Sequence, residues 1–164
     1  MPSLDDLFLA LLREIHFAER QILRALPRMA RAARNGALRE AFTRQCANGR
    51  VQQVRLGEVF RRIGWPARAE TSEAILGLLQ DCEDLLGDVA EPGPVHDAGL
   101  IACGQALAHY EMSRYGTLLA WAEAMERPEI AALLRQTLEE ERAVDRALAH
   151  LATRTVNREA RAAA

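Results

Sequence analysis

Four long segments of this 164-residue chain carry apolar residues at helical spacing, and no segment alternates apolar and polar residues over a useful length. Gaps of one or three residues place side chains on one stripe of an α-helix, whereas alternation with period two would indicate a strand. The pattern therefore predicts an all-α protein. The stripe is clearest in the first segment, where it comprises Leu7, Phe8, Leu11, Leu12, Ile15, Ile22, Leu23, Leu26 and Met29.

Capping residues and turn formers divide the chain into helices. Ser3 and Asp6 form a capping box that opens the first helix, in which Pro27 is expected to cause a kink or a shift of register. Gly64 ends the second helix, and Pro128 occupies the favoured first turn of the last one. The predicted ranges are about 3–34, 37–63, a short helix at 71–88, 96–126 with Asp97 as a candidate cap, and 128–155.

The lengths of the connections predict the topology. Short turns after the first and third long helices imply two antiparallel hairpins, and the long middle connection implies a crossover that contains the short helix. This is the ferritin-like variant of the four-helix bundle. We expect one domain over residues 1–158 and a frayed tail over residues 159–164.

Composition and motifs narrow the functional classes. The 21 basic side chains are all arginines and are balanced by 23 acids, giving a net charge of −2, which argues against a nucleic-acid-binding protein. The acidic N-terminal segment has an apolar run too short for a leader or a membrane helix, so we expect a cytoplasmic protein with no membrane partner. Cys46, Cys82 and Cys103 form no CxxC pair and are interpreted as core residues.

Four acids share helix faces with core residues. Glu19 lies midway between Ile15 and Ile22, and Glu111, Glu141 and Asp145 lie in register with leucines of the third and fourth long helices. The same acids could instead form a solvated face, as Glu139 does if it pairs with Arg135 or Arg142. Buried carboxylates are costly unless they are paired or bind a cation. Their coincidence on three apolar faces favours a metal site, with His16 on a neighbouring line of the first helix.

The segments "EIHFAERQILRALPRMARAA", "HYE…YGTL" and "TLEEE…D" resemble the YciE/YciF family of bacterial ferritin-like stress proteins over roughly residues 7–158. The resemblance implies a usually dimeric bundle with a carboxylate-bridged dinuclear metal site. Carried over position by position, it implies that Glu19, Glu111, Glu141 and Asp145 are metal ligands.

The second helix departs from the family pattern, which reads His-Leu-Glu-Glu-Thr followed three residues later by Gln or His. This chain has Gln45, Ala47, Asn48 and Gly49 at the altered positions and keeps Gln52. A neutral carbonyl is a poor replacement for a bridging carboxylate. The departure therefore predicts a degenerate site holding one iron or manganese ion or none, with Asn48 and Gln52 as weaker candidates beside His16. It also predicts that Asn48→Glu restores metal uptake.

Two functions are consistent with these features. The first is a cytoplasmic, homodimeric, stress-associated protein that binds iron or manganese and handles oxygen or peroxide. The second is a helical interaction or structural protein that has lost metal binding. The sequence contains no G-x-S-x-G, phosphate loop or HExxH motif, so nucleophilic and phosphoryl chemistry are not expected, and whether the chain is an enzyme stays open.

Overall fold

Helices account for most of the chain in the computed structural model, which describes residues 3–89 and 91–163. No strand occurs in those two stretches. The elements are α1 (Leu4–Ala32), α2 (Gly36–Ile63), α3 (Glu73–Gly87), α4 (Pro94–Ala124), α5 (Pro128–Leu151), a π-helical turn (Ala152–Val156) and α6 (Asn157–Ala162). None of the described helices is long and apolar enough to cross a membrane.

The helix ends follow the predicted signals. The Ser3 hydroxyl accepts from the Asp6 backbone N–H, and Asp6 in turn accepts from the Ser3 backbone N–H, which confirms the capping box. Gly64 ends α2 with φ 76°, a left-handed conformation that glycine adopts without strain. Asn35, just after the predicted end of the first helix, caps α2 by accepting from the Leu38 backbone N–H.

Pro27 lies inside α1, as predicted, and α1 continues to Ala32 as one element. Two other details differ from the prediction. Asp97 does not cap its own helix; its carboxylate accepts from the backbone N–H groups of Arg34 and Asn35 at 2.8 and 2.7 Å. The tail expected to fray is helical over Asn157–Ala162, although none of its side chains is buried. The Asp97 contacts tie the α1–α2 turn to the beginning of α4.

The four long helices form the predicted bundle. The hairpin pairs α1 with α2 and α4 with α5 are in contact, and α2 packs on α5 while α1 packs on α4, so each long helix has two neighbours in the bundle. The short helix α3 lies in the crossover and packs mainly on α4. Apolar side chains fill the interior, including Phe8, Leu12, Ile15, Phe42, Leu56, Phe60, Leu107, Leu118, Leu134 and Leu148. The buried polar residues discussed next interrupt this core.

Candidate functional site

A small cavity inside the bundle is lined by acids from three helices. Glu19 of α1, Glu111 of α4 and Glu141 of α5 are each at most 3% exposed, and Gln45 and Gln52 of α2 complete the polar lining. The cavity has a volume of about 10 Å³, which is room for one water molecule or one ion. The remaining walls are Ile22, Leu23, Leu26 and Gly49. Three of the four predicted acids are therefore brought together.

Hydrogen bonds satisfy only part of this lining. The Tyr115 hydroxyl donates to Glu19 Oε1, and Gln52 Nε2 donates to Glu141 Oε1 at 3.0 Å. Glu19 Oε2, Glu141 Oε2 and both amide atoms of Gln45 are buried without a partner among the described residues. Buried polar atoms are seldom left without a partner. The unpartnered oxygens therefore indicate that the cavity accommodates a proton, a water molecule or a cation.

Burial raises the pKa of each acid in the cavity. It raises the pKa of Glu19 to about 8, even though the Tyr115 hydrogen bond opposes the shift. Burial, followed by the negative charges of Glu141 and Glu19, raises the pKa of Glu111 well above its ordinary value. Burial also raises the pKa of Glu141, although the neighbouring Glu111 and the hydrogen bond from Gln52 oppose the shift. In the absence of a cation, protonation is how these side chains avoid buried charge.

Comparison with known proteins places this chain in a family. Residues 3–161 match the family described as "Domain of unknown function (DUF892)". Protein YciF of Escherichia coli (strain K12) is 35% identical over 161 residues, which is 98% of this chain and 96% of that protein. The chain belongs to the YciE/YciF family.

Two solved structures show the same bundle. The crystal structure of the E. coli stress protein YciF has a TM-score of 0.89 at 35% identity and covers 96% of this chain and 99% of that one. YcfI from Rhodopseudomonas palustris has a TM-score of 0.86 at 38% identity and covers 89% of this chain and 92% of that one. The ferritin-like fold and the family predicted from the sequence are both confirmed.

The α2 face explains how this YciE/YciF family member departs from the dinuclear pattern. Gln45, Gly49 and Gln52 face the cavity, at spacings of four and three residues along the helix. Gly49 has no side chain to offer, and a Cβ there would lie 2.6 Å from Leu23 Cδ2. Leu23 therefore occupies the space that a ligand from α2 would need. Asn48 points elsewhere and lines a surface groove beside Glu140.

Asp145 does not line the cavity. Its Oδ1 accepts from Gln105 Nε2 at 3.0 Å and lies 3.0 Å from His109 Nε2 near the surface. The helical rise carries it about 6 Å along α5 from Glu141, and its side chain is one methylene shorter. The predicted pairing of Glu141 with Asp145 at one ion is therefore not present in this geometry.

His16 is also placed away from the acids. Its ring packs edge-on against Phe60 with centroids 5.5 Å apart, and its Nδ1 is buried without a partner among the described residues. Burial, followed by the positive charge of Arg20, lowers the pKa of His16. A neutral ring against an aromatic neighbour is the behaviour of a packing residue.

A buried ion pair beside the cavity was not predicted from the sequence. Arg55, 9% exposed, donates to both carboxylate oxygens of Glu140 at 2.9 Å and to Thr137 Oγ1 at 2.7 Å. Gln52 donates to Glu140 as well as to Glu141. Desolvation by burial would raise the pKa of Glu140, but hydrogen bonds from Arg55 and Gln52 outweigh it and lower the pKa. Arg55 therefore places a positive charge next to the acids.

This lining does not fit a dinuclear centre. Two bridged ions need several carboxylates, whereas α2 offers two amides and a glycine. Within residues 3–89 and 91–163, no group of three or more His, Cys, Asp or Glu side chains is arranged to hold a metal ion. The cavity volume matches one ion at most. A single cation would require the three carboxyl groups to turn toward one point.

The raised pKa of Glu19 predicts a specific pH dependence for the metal-free protein. In the folded protein Glu19 keeps its proton up to about pH 8, whereas the ordinary pKa of a glutamate is 4.5. Its stabilising contribution is complete below pH 4.5 and is lost as the pH rises through 8. Glu19→Gln keeps an acceptor for Tyr115 but cannot ionise. We expect the variant to match the parent near pH 4.5 and to exceed its free energy of unfolding by on the order of 4 kcal/mol at pH 8.

Urea unfolding at a series of pH values, with a chelator present, measures this difference. Glu139→Gln is the matched control, because Glu139 lies on the same bundle but its side chain is 55% exposed. If the free energy of unfolding changed with pH in the same way for the parent and for Glu19→Gln, Glu19 would already be ionised at neutral pH.

Proposed function

We propose that this YciE/YciF family member binds one divalent cation of the iron or manganese class between Glu19, Glu111 and Glu141. The observation that supports the proposal is the burial of three carboxyl groups around one ion-sized cavity, with oxygens of Glu19 and Glu141 unpartnered among the described residues. Oxygen-rich sites of this kind suit hard divalent cations. The cation would replace the protons that keep the cavity neutral.

The surrounding residues would orient the acids. Tyr115 holds one oxygen of Glu19 by donating to it, so the second oxygen is directed to the cavity. Gln52 does the same for Glu141. The Gln45 amide oxygen would be a further, uncharged ligand from the α2 wall of the cavity. Because ligands must lose their protons before binding, uptake of the cation would release protons and strengthen with rising pH.

A bound iron or manganese ion would supply one-electron chemistry toward a small oxidant such as oxygen or peroxide. The protein would keep the site dry with Ile22, Leu23 and Leu26, which wall the cavity. Tyr115 donates a hydrogen bond to Glu19 and would hold that carboxylate in place. One ion fills the cavity of about 10 Å³, so an oxidant would reach the ion only if the lining side chains move apart.

Metal stoichiometry tests this proposal. We expect purified, reconstituted protein to bind one Mn²⁺ per chain by isothermal titration and elemental analysis, whereas no binding would favour the metal-free alternative. Glu141→Gln removes one charged donor and is expected to weaken Mn²⁺ binding by at least about tenfold. Glu139→Gln, two residues away and exposed, should bind as the parent does.

Two results would contradict the proposal. Two tightly bound ions per chain would show that the site is not degenerate. Equal Mn²⁺ binding by the parent and by Glu141→Gln would show that the cation lies elsewhere.

The α2 face provides a gain-of-function test. Gly49→Glu in a Leu23→Ala background adds a fourth carboxylate to the cavity and removes the side chain that blocks it. We expect this double variant to bind Mn²⁺ at least about tenfold more tightly than Leu23→Ala alone. Asn48→Glu in the same background is the matched control, because Asn48 faces the surface groove. The sequence predicted that Asn48→Glu restores metal binding. Tighter Mn²⁺ binding by Asn48→Glu would show that position 48, and not position 49, faces the cavity.

A second function is favoured by a different observation. The described residues contain no preformed metal-ligand cluster, and Arg55 supplies positive charge beside the acids. A helical-bundle protein without metal would therefore be internally consistent, with Glu19, Glu111 and Glu141 protonated. Under this alternative, Mn²⁺ or Fe²⁺ would leave the unfolding temperature unchanged, and Gly49→Glu would only destabilise the bundle.

The homodimer and the cytoplasmic location also stay proposals. Val51 and Val54 lie on one face of α2 and are 58% and 76% exposed, so a second copy of the chain could cover them.

A further inference from the structure

A second, larger cavity lies under the crossover helix, away from the acids. It has a volume of about 490 Å³, opens to solvent, and is lined by residues of α1, α3 and α4. Its apolar walls include Met29, Leu79, Leu86 and Leu100. Cys82 of α3 and Cys103 of α4 both line it. Neither thiol has a role in the acidic site.

The two cysteines approach each other across the α3–α4 interface. Cys103 Sγ lies 3.9 Å from the backbone carbonyl oxygen of Cys82, so the two residues are in contact. Both are free thiols separated by 21 positions in sequence. A bridge between them requires their Cβ atoms to come within about 4.5 Å of each other, which depends on how far α3 can shift against α4.

Their surroundings make the two thiols chemically unequal. Cys82 is half-buried and lines the cavity, whereas Cys103 is buried. The neighbouring Cys103 thiol lowers the pKa of Cys82, and the Cys82 thiol together with burial raises the pKa of Cys103. A thiolate is the nucleophile in reactions with peroxides, so Cys82 is the attacking thiol and Cys103 the resolving one.

The helix that carries Cys82 is the one best able to move. Ile75 is the single fully buried residue of α3, whereas every long helix of the bundle buries several. Elements with few buried contacts shift at low free-energy cost. Closing the gap between the two sulfurs therefore requires α3 to move and not the bundle.

We propose that Cys82 and Cys103 are a modification site at which a hydroperoxide converts the pair to an intramolecular disulfide linking α3 to α4. The Cys82 thiolate attacks the peroxide oxygen, which breaks the O–O bond, forms a sulfenic acid and releases hydroxide or an alkoxide. The Cys103 thiol then attacks the Cys82 sulfur and releases water. Two thiols are oxidised, one peroxide is reduced to water or to an alcohol and water, and a thiol reductant reverses the change.

The bridge would connect the crossover to the acidic cavity. Cys103, Leu107 and Glu111 follow one another at four-residue intervals on α4, so they share a helix face. A covalent link at Cys103 would hold the segment of α4 that leads to Glu111. The chemistry at the thiols nevertheless does not depend on the proposed cation, because the two cysteines line a different cavity.

Thiol counting tests this proposal. We expect treatment of the native protein with stoichiometric hydrogen peroxide to lower the free thiols, measured after denaturation, from three to one per chain. Cys46→Ser is the matched control, because Cys46 lies on α2 away from the pair. The number of free thiols in this variant should fall from two to none per chain. Peptide mass mapping should show Cys82 joined to Cys103, and dithiothreitol should restore both thiols.

Two further measurements separate this reaction from general oxidation. Cys103→Ser should accumulate a Cys82 sulfenic acid that dimedone traps, with no intramolecular bridge. The bridge should raise the unfolding temperature of the parent by roughly 5–10 °C, because it closes a loop of about 20 residues. Three surviving thiols in the parent, a bridge that includes Cys46, or bridges formed only between chains would each overturn the proposal.

Discussion

The burial of three carboxyl groups in one cavity is the constraint on which the rest of this structure depends. Glu19, Glu111 and Glu141 arrive from three helices, so the bundle cannot close without neutralising them. Hydrogen bonds from Tyr115 and Gln52 accommodate two oxygens, and the raised pKa values show that protons or a cation must accommodate the others. The polar lining therefore limits both the stability of the fold and its chemistry.

The second helix determines what that cavity can hold. Gly49 leaves a gap that Leu23 fills, and the flanking amides carry no charge. Arg55 and Glu140 form an ion pair immediately beside this wall. The resemblance to the family implies two ions, whereas this lining has a volume for one ion at most. The crossover helix α3 takes no part in the acidic site, because Cys82 and its neighbour Cys103 line a different cavity.

The sequence predicted the bundle well because helical periodicity and short turns are local signals. It also predicted Glu19, since an acid midway between Ile15 and Ile22 must face the core. It could not separate Glu141 from Asp145, because a four-residue spacing describes one helix face but not the depth at which each side chain meets its neighbours. The burial of Arg55 could not be predicted either, because it depends on contact with Glu140, which lies 85 positions away in the sequence.

The protonation state of the cavity at neutral pH tests the central claim most directly. Infrared difference spectroscopy of metal-free protein, parent minus Glu19→Gln, reports the C=O stretch of a protonated carboxyl group. We predict that this band is present at pH 7 in the parent, is reduced in the variant, and disappears when saturating Mn²⁺ displaces the proton. Absence of any protonated carboxyl group at pH 7 in the metal-free parent would contradict the account.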